Sequence, residues 1–234
     1  MKLKLLAMLS ALAIALSLTA CAASAPLPGE ELILAAREAY TALGSARVDV
    51  VNNETGEAEQ TFIFKCDEKG IMTYSYVGRS DGIYLEQYNN GREQFTNDNG
   101  VITALDASDL QFTAYSRDVP YPMAGEGLIL FYKKGVIADE SYIEEKDGIT
   151  EVHHRYDVSK LGQYDGEGEL AGFDVTYRFD SEGNLIDVTE ATTVRNDVDE
   201  SSSTVSFHVY TIYISEQNSI SRVENIVDIS ELGN

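Results

Sequence analysis

The sequence predicts an α+β fold: one N-terminal helix, then a single antiparallel sheet of about eleven strands, with a short helical segment in mid-chain. Three observations predict it. A sustained helical spacing of apolar residues occurs between residues 30 and 43. From residue 46 the apolar spacing becomes two. Four short polar turns, each containing a glycine and each followed by an aliphatic residue, separate strand-like runs.

The chain begins with a segment that does not belong to this fold. Lys2 and Lys4 precede an apolar run from Leu5 to Leu18, and the small residues Thr19 and Ala20 follow. That is the plan of an export signal over residues 1–20. The apolar run is about 14 residues, short of the roughly 20 that span a bilayer. Leu18-Thr19-Ala20-Cys21 resembles the bacterial lipoprotein signal, the lipobox. The resemblance implies that Cys21 is diacylated through its thiol and becomes the new N-terminus. Two acyl chains suffice for stable anchoring. Residues 21–29 are then a lipidated tether of under about 30 Å, and 30–234 one folded domain.

Charge and cysteine usage take their meaning from that address. The chain carries 17 Lys+Arg against 39 Asp+Glu, a formal charge of −22. Without Lys2 and Lys4, and with no acid before Glu30, it is −24. So acidic a chain is not a nucleic-acid binder, and it does not dock on anionic lipid by charge. With lipid on Cys21, Cys66 has no partner for an intramolecular disulfide. It shares a strand face with Phe62 and Phe64 and reads as an inert buried thiol.

The elements follow in order. Leu32, Ala35/Ala36, Ala39 and Leu43 define the apolar stripe of helix 30–43. Glu30 and Glu31 suit its first turn, and Gly44 suits a left-handed residue past its end. Strands are expected at about 46–52, 60–66, 71–77, 82–89, 92–96, 101–105, 140–145, 149–158, 173–180, 185–194 and 203–214. The turns Asp67–Gly70, Asn97–Gly100, Lys146–Gly148 and Ser181–Asn184 join eight of them pairwise. Residues 106–134 break the alternation. Pro122 predicts a short helix after it, and Asp106 a capped turn. Tyr164–Gly172 reads as an acidic loop.

An N-terminal helix, a run of antiparallel hairpins interrupted midway by a helical segment, the turn Phe179-Asp180-Ser181-Glu182-Gly183-Asn184-Leu185 and a lipid-anchored start together resemble the lipoprotein-localisation and lipid-carrier fold. Its relatives are the periplasmic LolA/LolB carriers and the mycobacterial LppX/LprG lipoproteins. The resemblance covers about residues 30–215. It implies a strongly curved, half-open barrel around a helix, with an apolar cavity. The chain is more acidic than such carriers generally are. The family supplies no invariant catalytic set, and none is carried over.

His153 and His154 fall on opposite faces of one strand and cannot chelate one metal, so His154 is expected packed and His153 solvated. Asp165, Glu167 and Glu169 lack the spacing of a twelve-residue calcium loop and read as a solvated loop. No serine-hydrolase elbow or phosphate-cradling glycine loop is present. The aromatic content, 14 Tyr and 8 Phe, is the remaining signal. The inward, ligand-facing residues are expected to be Phe62, Phe64, Tyr74, Tyr76, Phe173, Tyr177, Phe179 and Phe207. No catalytic residue, metal or cofactor is expected.

The first functional expectation is a non-enzymatic, lipid-anchored protein on the extracytoplasmic face of the cell membrane. It would hold a lipid or other apolar ligand between sheet and helix. In a Gram-negative cell, Ala22 after the acylated cysteine implies sorting to the outer membrane. The alternative is a non-catalytic envelope structural or interaction lipoprotein whose exposed face or acidic surface meets a protein partner or cell-wall polymer.

Overall fold

In a computed structural model the chain forms one eleven-stranded antiparallel sheet, strongly curved and not closed, with a helix on its inner face. The structure describes residues 26–80, 82–138, 140–162, 168–199 and 202–230. The signal, Cys21 and the first part of the tether lie outside the described residues, as do Asp165 and Glu167.

The helix α1 spans Glu30–Thr41. The strands are β1 Ser45–Asn52, β2 Ala58–Cys66, β3 Met72–Ser80, β4 Ile83–Asn89, β5 Glu93–Asp98, β6 Val101–Asp106, β7 Tyr142–Lys146, β8 Ile149–Tyr156, β9 Glu169–Phe179, β10 Leu185–Asp199 and β11 Ser202–Ser215. Their order across the sheet is β6-β5-β4-β3-β2-β1-β11-β10-β9-β8-β7. Two meanders, β1–β6 and β7–β11, therefore meet at the β1–β11 ladder. The chain must pass from one outer edge to the other between β6 and β7. Residues 107–141 make that passage as a strap packed on the inner face, with Met123, Ala124, Ile129, Leu130 and Val136 in the core.

Turn chemistry sets the hairpins. Asn99-Gly100 (φ 49° and 90°) and Asp147-Gly148 (53° and 79°) are two-residue turns with both residues left-handed. That backbone matches the twist of the flanking strands, and glycine reaches it without a Cβ penalty. The mid-chain helical segment is three short pieces: a 3-10 turn Pro122–Ala124, the one-turn helix α2 Glu126–Ile129 and a 3-10 turn Lys134–Val136. Asp106 Oδ1 accepts from the Ser108 amide at 2.7 Å, the capped turn anticipated there.

Some local expectations are corrected. The buried stripe is Ile33, Tyr40 and Leu43, with the expected Leu32 and Ala36 packed against it, whereas Ala35 and Ala39 are exposed. The larger side chains Ile33 and Tyr40 turn inward because they bury more apolar area than alanines. Gly44 is not left-handed, and Ala42 closes the helix in the ordinary right-handed conformation. β9 begins at Glu169, which shortens the acidic loop. His153 is half-buried rather than solvated, because the Tyr142 ring stacks on it at 4.4 Å.

Candidate functional site

The inner face divides into two ring clusters, each seated by the strap. On the β2–β3 side Phe62 is sandwiched between Phe64 at 5.6 Å and Tyr121 of the strap at 5.1 Å. Tyr74 packs on Tyr121 at 4.3 Å and on Tyr115 at 5.7 Å. The Tyr40 hydroxyl of α1 donates to Met123 O at 2.6 Å. Burial pushes the phenols of Tyr40, Tyr74 and Tyr121 above their ordinary range.

On the β8–β10 side the packing is polar. Phe131 meets Tyr156 at 5.0 Å and Phe173 at 5.3 Å, edge to face. Its carbonyl accepts from the Tyr156 hydroxyl at 3.2 Å and from the Tyr177 hydroxyl. Arg37 of α1 donates to Tyr132 O at 3.0 Å and pairs with Glu126 at 2.5 Å. Glu30 accepts from Lys134 at 2.7 Å and from the Tyr132 hydroxyl at 2.9 Å, and these bonds hold its carboxyl below the usual range. His154 Nε2 lies 2.8 Å from Pro28 O, and burial pushes its imidazole down.

Glu190 sits on the same inner face, one step from Val188 along β10. Burial pushes its carboxyl up to about 7. Its charge also raises the Tyr156 and Tyr177 phenols, as a like charge nearby does.

Seven of the eight expected ligand-facing residues, Phe62, Phe64, Tyr74, Tyr76, Phe173, Tyr177 and Phe179, lie on the inner face in or against the core. Phe207 does not. Ile212 pairs with Val50 and Val188 in the core, and no bulge intervenes, so even-numbered residues of β11 face inward. Phe207 is therefore on the outer face, 63% exposed. Arg37 and Glu190 are not among the residues expected from sequence. For Glu190 a signal existed: Val188, Glu190, Thr192 and Val194 share one parity, so the acid falls on the apolar side of its strand.

Much of the interior is filled by the protein's own rings, and a gap remains beside α1. Ala35, Ala36 and Ala39 are too short to reach the β9–β10 turn at Gly183–Leu185 and Ile214 of β11. A predominantly apolar cavity of about 260 Å³ is left there. Across the sheet, the outer face holds an open groove of about 990 Å³. Thr61, Ile63, Ser75 and Val77 form its floor, and Arg79 and Ile226 stand among its walls.

The outer face also carries a polar seam across β7–β10. Thr176 Oγ1 lies 3.0 Å from His153 Nδ1, and His153 Nε2 is 3.5 Å from Glu151. Arg178 reaches Glu151 at 3.5 Å and the almost fully buried Asp187 at 2.9 Å. Burial raises the Asp187 carboxyl, and Arg178 opposes that shift. Cys66 is half-buried beside Arg117. Burial pushes its thiol up while Arg117 draws it down. Among the described residues no group of three or more His, Cys, Asp or Glu is placed to hold a metal ion. Among them, too, no helix is long and apolar enough to cross a membrane.

No protein-family model matches the chain, and no curated protein matches it in sequence. Among solved structures it is similar to LprF from Mycobacterium bovis. The two are 14% identical, and the match covers 83% of this chain and 95% of that one with a TM-score of 0.44.

Proposed function

We propose that this is a lipid-anchored, extracytoplasmic binding protein without catalysis of its own, which takes a slim apolar ligand such as a single acyl chain. Acylated Cys21 would hold it on the membrane. The observation that carries the reading is the cavity between α1 and the sheet. It is mostly apolar, open at the rim, and lined on the helix side by Ala35, Ala36 and Ala39 beside Tyr40, so three of its four helix positions carry only a methyl group. Its 260 Å³ lies just under the usual range of ligand pockets, which favours a ligand with little bulk.

The test uses full-length acylated protein purified in mild detergent. Native mass spectrometry looks for a retained lipid, and Nile red titration for an apolar seat. Both signals are expected in the wild type. Both should be lost in Ala39→Leu, whose added methylenes fill the gap, with the melting temperature unchanged. Dye binding that ignores Ala39→Leu, or no binding in the wild type, overturns the reading.

The outer groove supports a second reading, an envelope interaction protein. At 990 Å³ it is the larger concavity, with both apolar and charged walls. Thr61→Arg on its floor would block a partner there while leaving Nile red binding intact.

A further inference from the structure

The β10–β11 hairpin extends past the strands that flank it. β1 pairs with β11 only as far as Asn52↔Tyr210, whereas β10 pairs with it out to Ser202. Among the described residues no strand covers the other flank of Ser202–His208. On the outer face of this extension Val205 and Phe207, two residues apart, are 64% and 63% exposed. Ile83 and Val101, at the same ends of their strands, are also more than half exposed.

The N-terminal segment leaves the domain toward this same end. A Cβ on Gly29 would lie 2.3 Å from Val152, and Pro28 O lies against His154. Moving toward the N-terminus, the chain thus climbs β8 in the direction of Tyr156. His154, Val175, Glu190 and Tyr210 are level across the ladder. From Tyr210 to Ser203 the hairpin rises seven residues, about 23 Å at strand spacing. From Pro28 back to Cys21 is also seven residues, at most about 25 Å extended. The tether is therefore long enough for a lipid on Cys21 to reach as far from the body as the end of the hairpin.

We infer that the outer face of the β10–β11 extension rests on the bilayer, with Val205 and Phe207 seated in its interface. This rests on the acylation of Cys21 proposed above. Two large apolar side chains kept in water at the membrane-proximal end gain by transfer into the interface. The net charge of −24, to which the Asp197–Glu200 sequence contributes, opposes anionic lipid, so the contact suits a neutral bilayer. The same charge disfavours a second copy, which would bring two strongly acidic chains together.

The chain contains no tryptophan, so Phe207→Trp gives a single reporter. Acylated Phe207→Trp protein would be reconstituted into phosphatidylcholine vesicles carrying brominated acyl chains. Leu110→Trp, fully exposed at the opposite strand ends, serves as the control. Co-flotation with vesicles reports the anchor. The expected result is flotation of both variants, with about twofold or greater quenching of Phe207→Trp and none of Leu110→Trp. Flotation without quenching at 207, or equal quenching at both positions, overturns the inference and leaves the anchor standing. Failure to float removes the anchor and the inference with it. A concentration-dependent blue shift of Phe207→Trp without lipid would assign the surface to a second copy and also overturn it.

Discussion

The two halves of the inner face are filled by different chemistry. On the β2–β3 side, Phe62, Phe64, Tyr74 and Tyr121 stack at 4.3–5.7 Å with no carboxylate among them. On the β8–β10 side, the strap is held by hydroxyls and charged groups: Tyr156 and Tyr177 on Phe131 O, Arg37 on Tyr132 O, and Glu30 on Lys134, with Glu190 buried nearby. One half is stabilised by area and dispersion, which pH does not touch. The other depends on bonds and protonation states. A single strap is thus fixed at one end by packing and at the other by polar contacts that solution conditions can weaken.

The largest effect should come from the apolar half. Phe62→Ala removes a fully buried ring that touches three others, and should cost about 4 kcal/mol. Urea denaturation at pH 5 and pH 8 should give the same loss. A loss below about 1 kcal/mol, or one that changes with pH, would break the contrast.

Glu190 supplies the next largest. Its carboxyl is raised from an ordinary value of 4.5 to about 7 in the folded state. The neutral acid is the form the fold favours. Its contribution is fully present below pH 4.5 and is lost as pH rises through 7. A displacement of that size would cap the effect at about 3 kcal/mol. Because the residue keeps some solvent contact, about 2 kcal/mol is expected. Glu190→Gln should therefore raise the melting temperature at pH 8 and leave it unchanged at pH 4. A gain of equal size at both values would place the stabilisation outside Glu190 ionisation.

The same contrast explains what could be read before the structure. Strands and turns were legible because period-two patterning and glycine turns are local signals, and all eleven expected strands lie close to those observed. The β2–β3 aromatics were legible for the same reason. The polar half was not. Arg37 and Glu190 owe their roles to a strap that crosses from one sheet edge to the other, and residue spacing does not encode where that strap lands. Phe207 was misplaced because a run of alternating residues fixes two faces but not which one is inner. The pairing of Ile212 with Val50 and Val188 decides that, and it is a long-range fact. The stripe of α1 was legible at Leu32, Ala36 and Leu43 and not at Ile33 and Tyr40, because alanines at helical spacing carry the same periodicity as larger residues while burying less.

The smallest effect probes whether the polar half works as a unit. Tyr156 and Tyr177 both donate to Phe131 O. Removing one hydroxyl leaves that carbonyl a remaining partner, so Tyr156→Phe alone should cost about 0.5 kcal/mol and Tyr177→Phe about 1 kcal/mol. Removing both leaves a carbonyl under the strap without either donor, and the desolvation penalty of an unmade bond is then felt in full. The double variant should lose about 1 kcal/mol more than the sum of the singles in a double-mutant cycle. The stacked half offers the control: Phe64→Leu combined with Tyr115→Phe, whose rings are not in direct contact with each other, should be additive. Additive losses at Tyr156 and Tyr177 would mean that each hydroxyl acts alone. The strap would then be held on both sides by independent contacts, and the contrast between the halves would reduce to one of polarity.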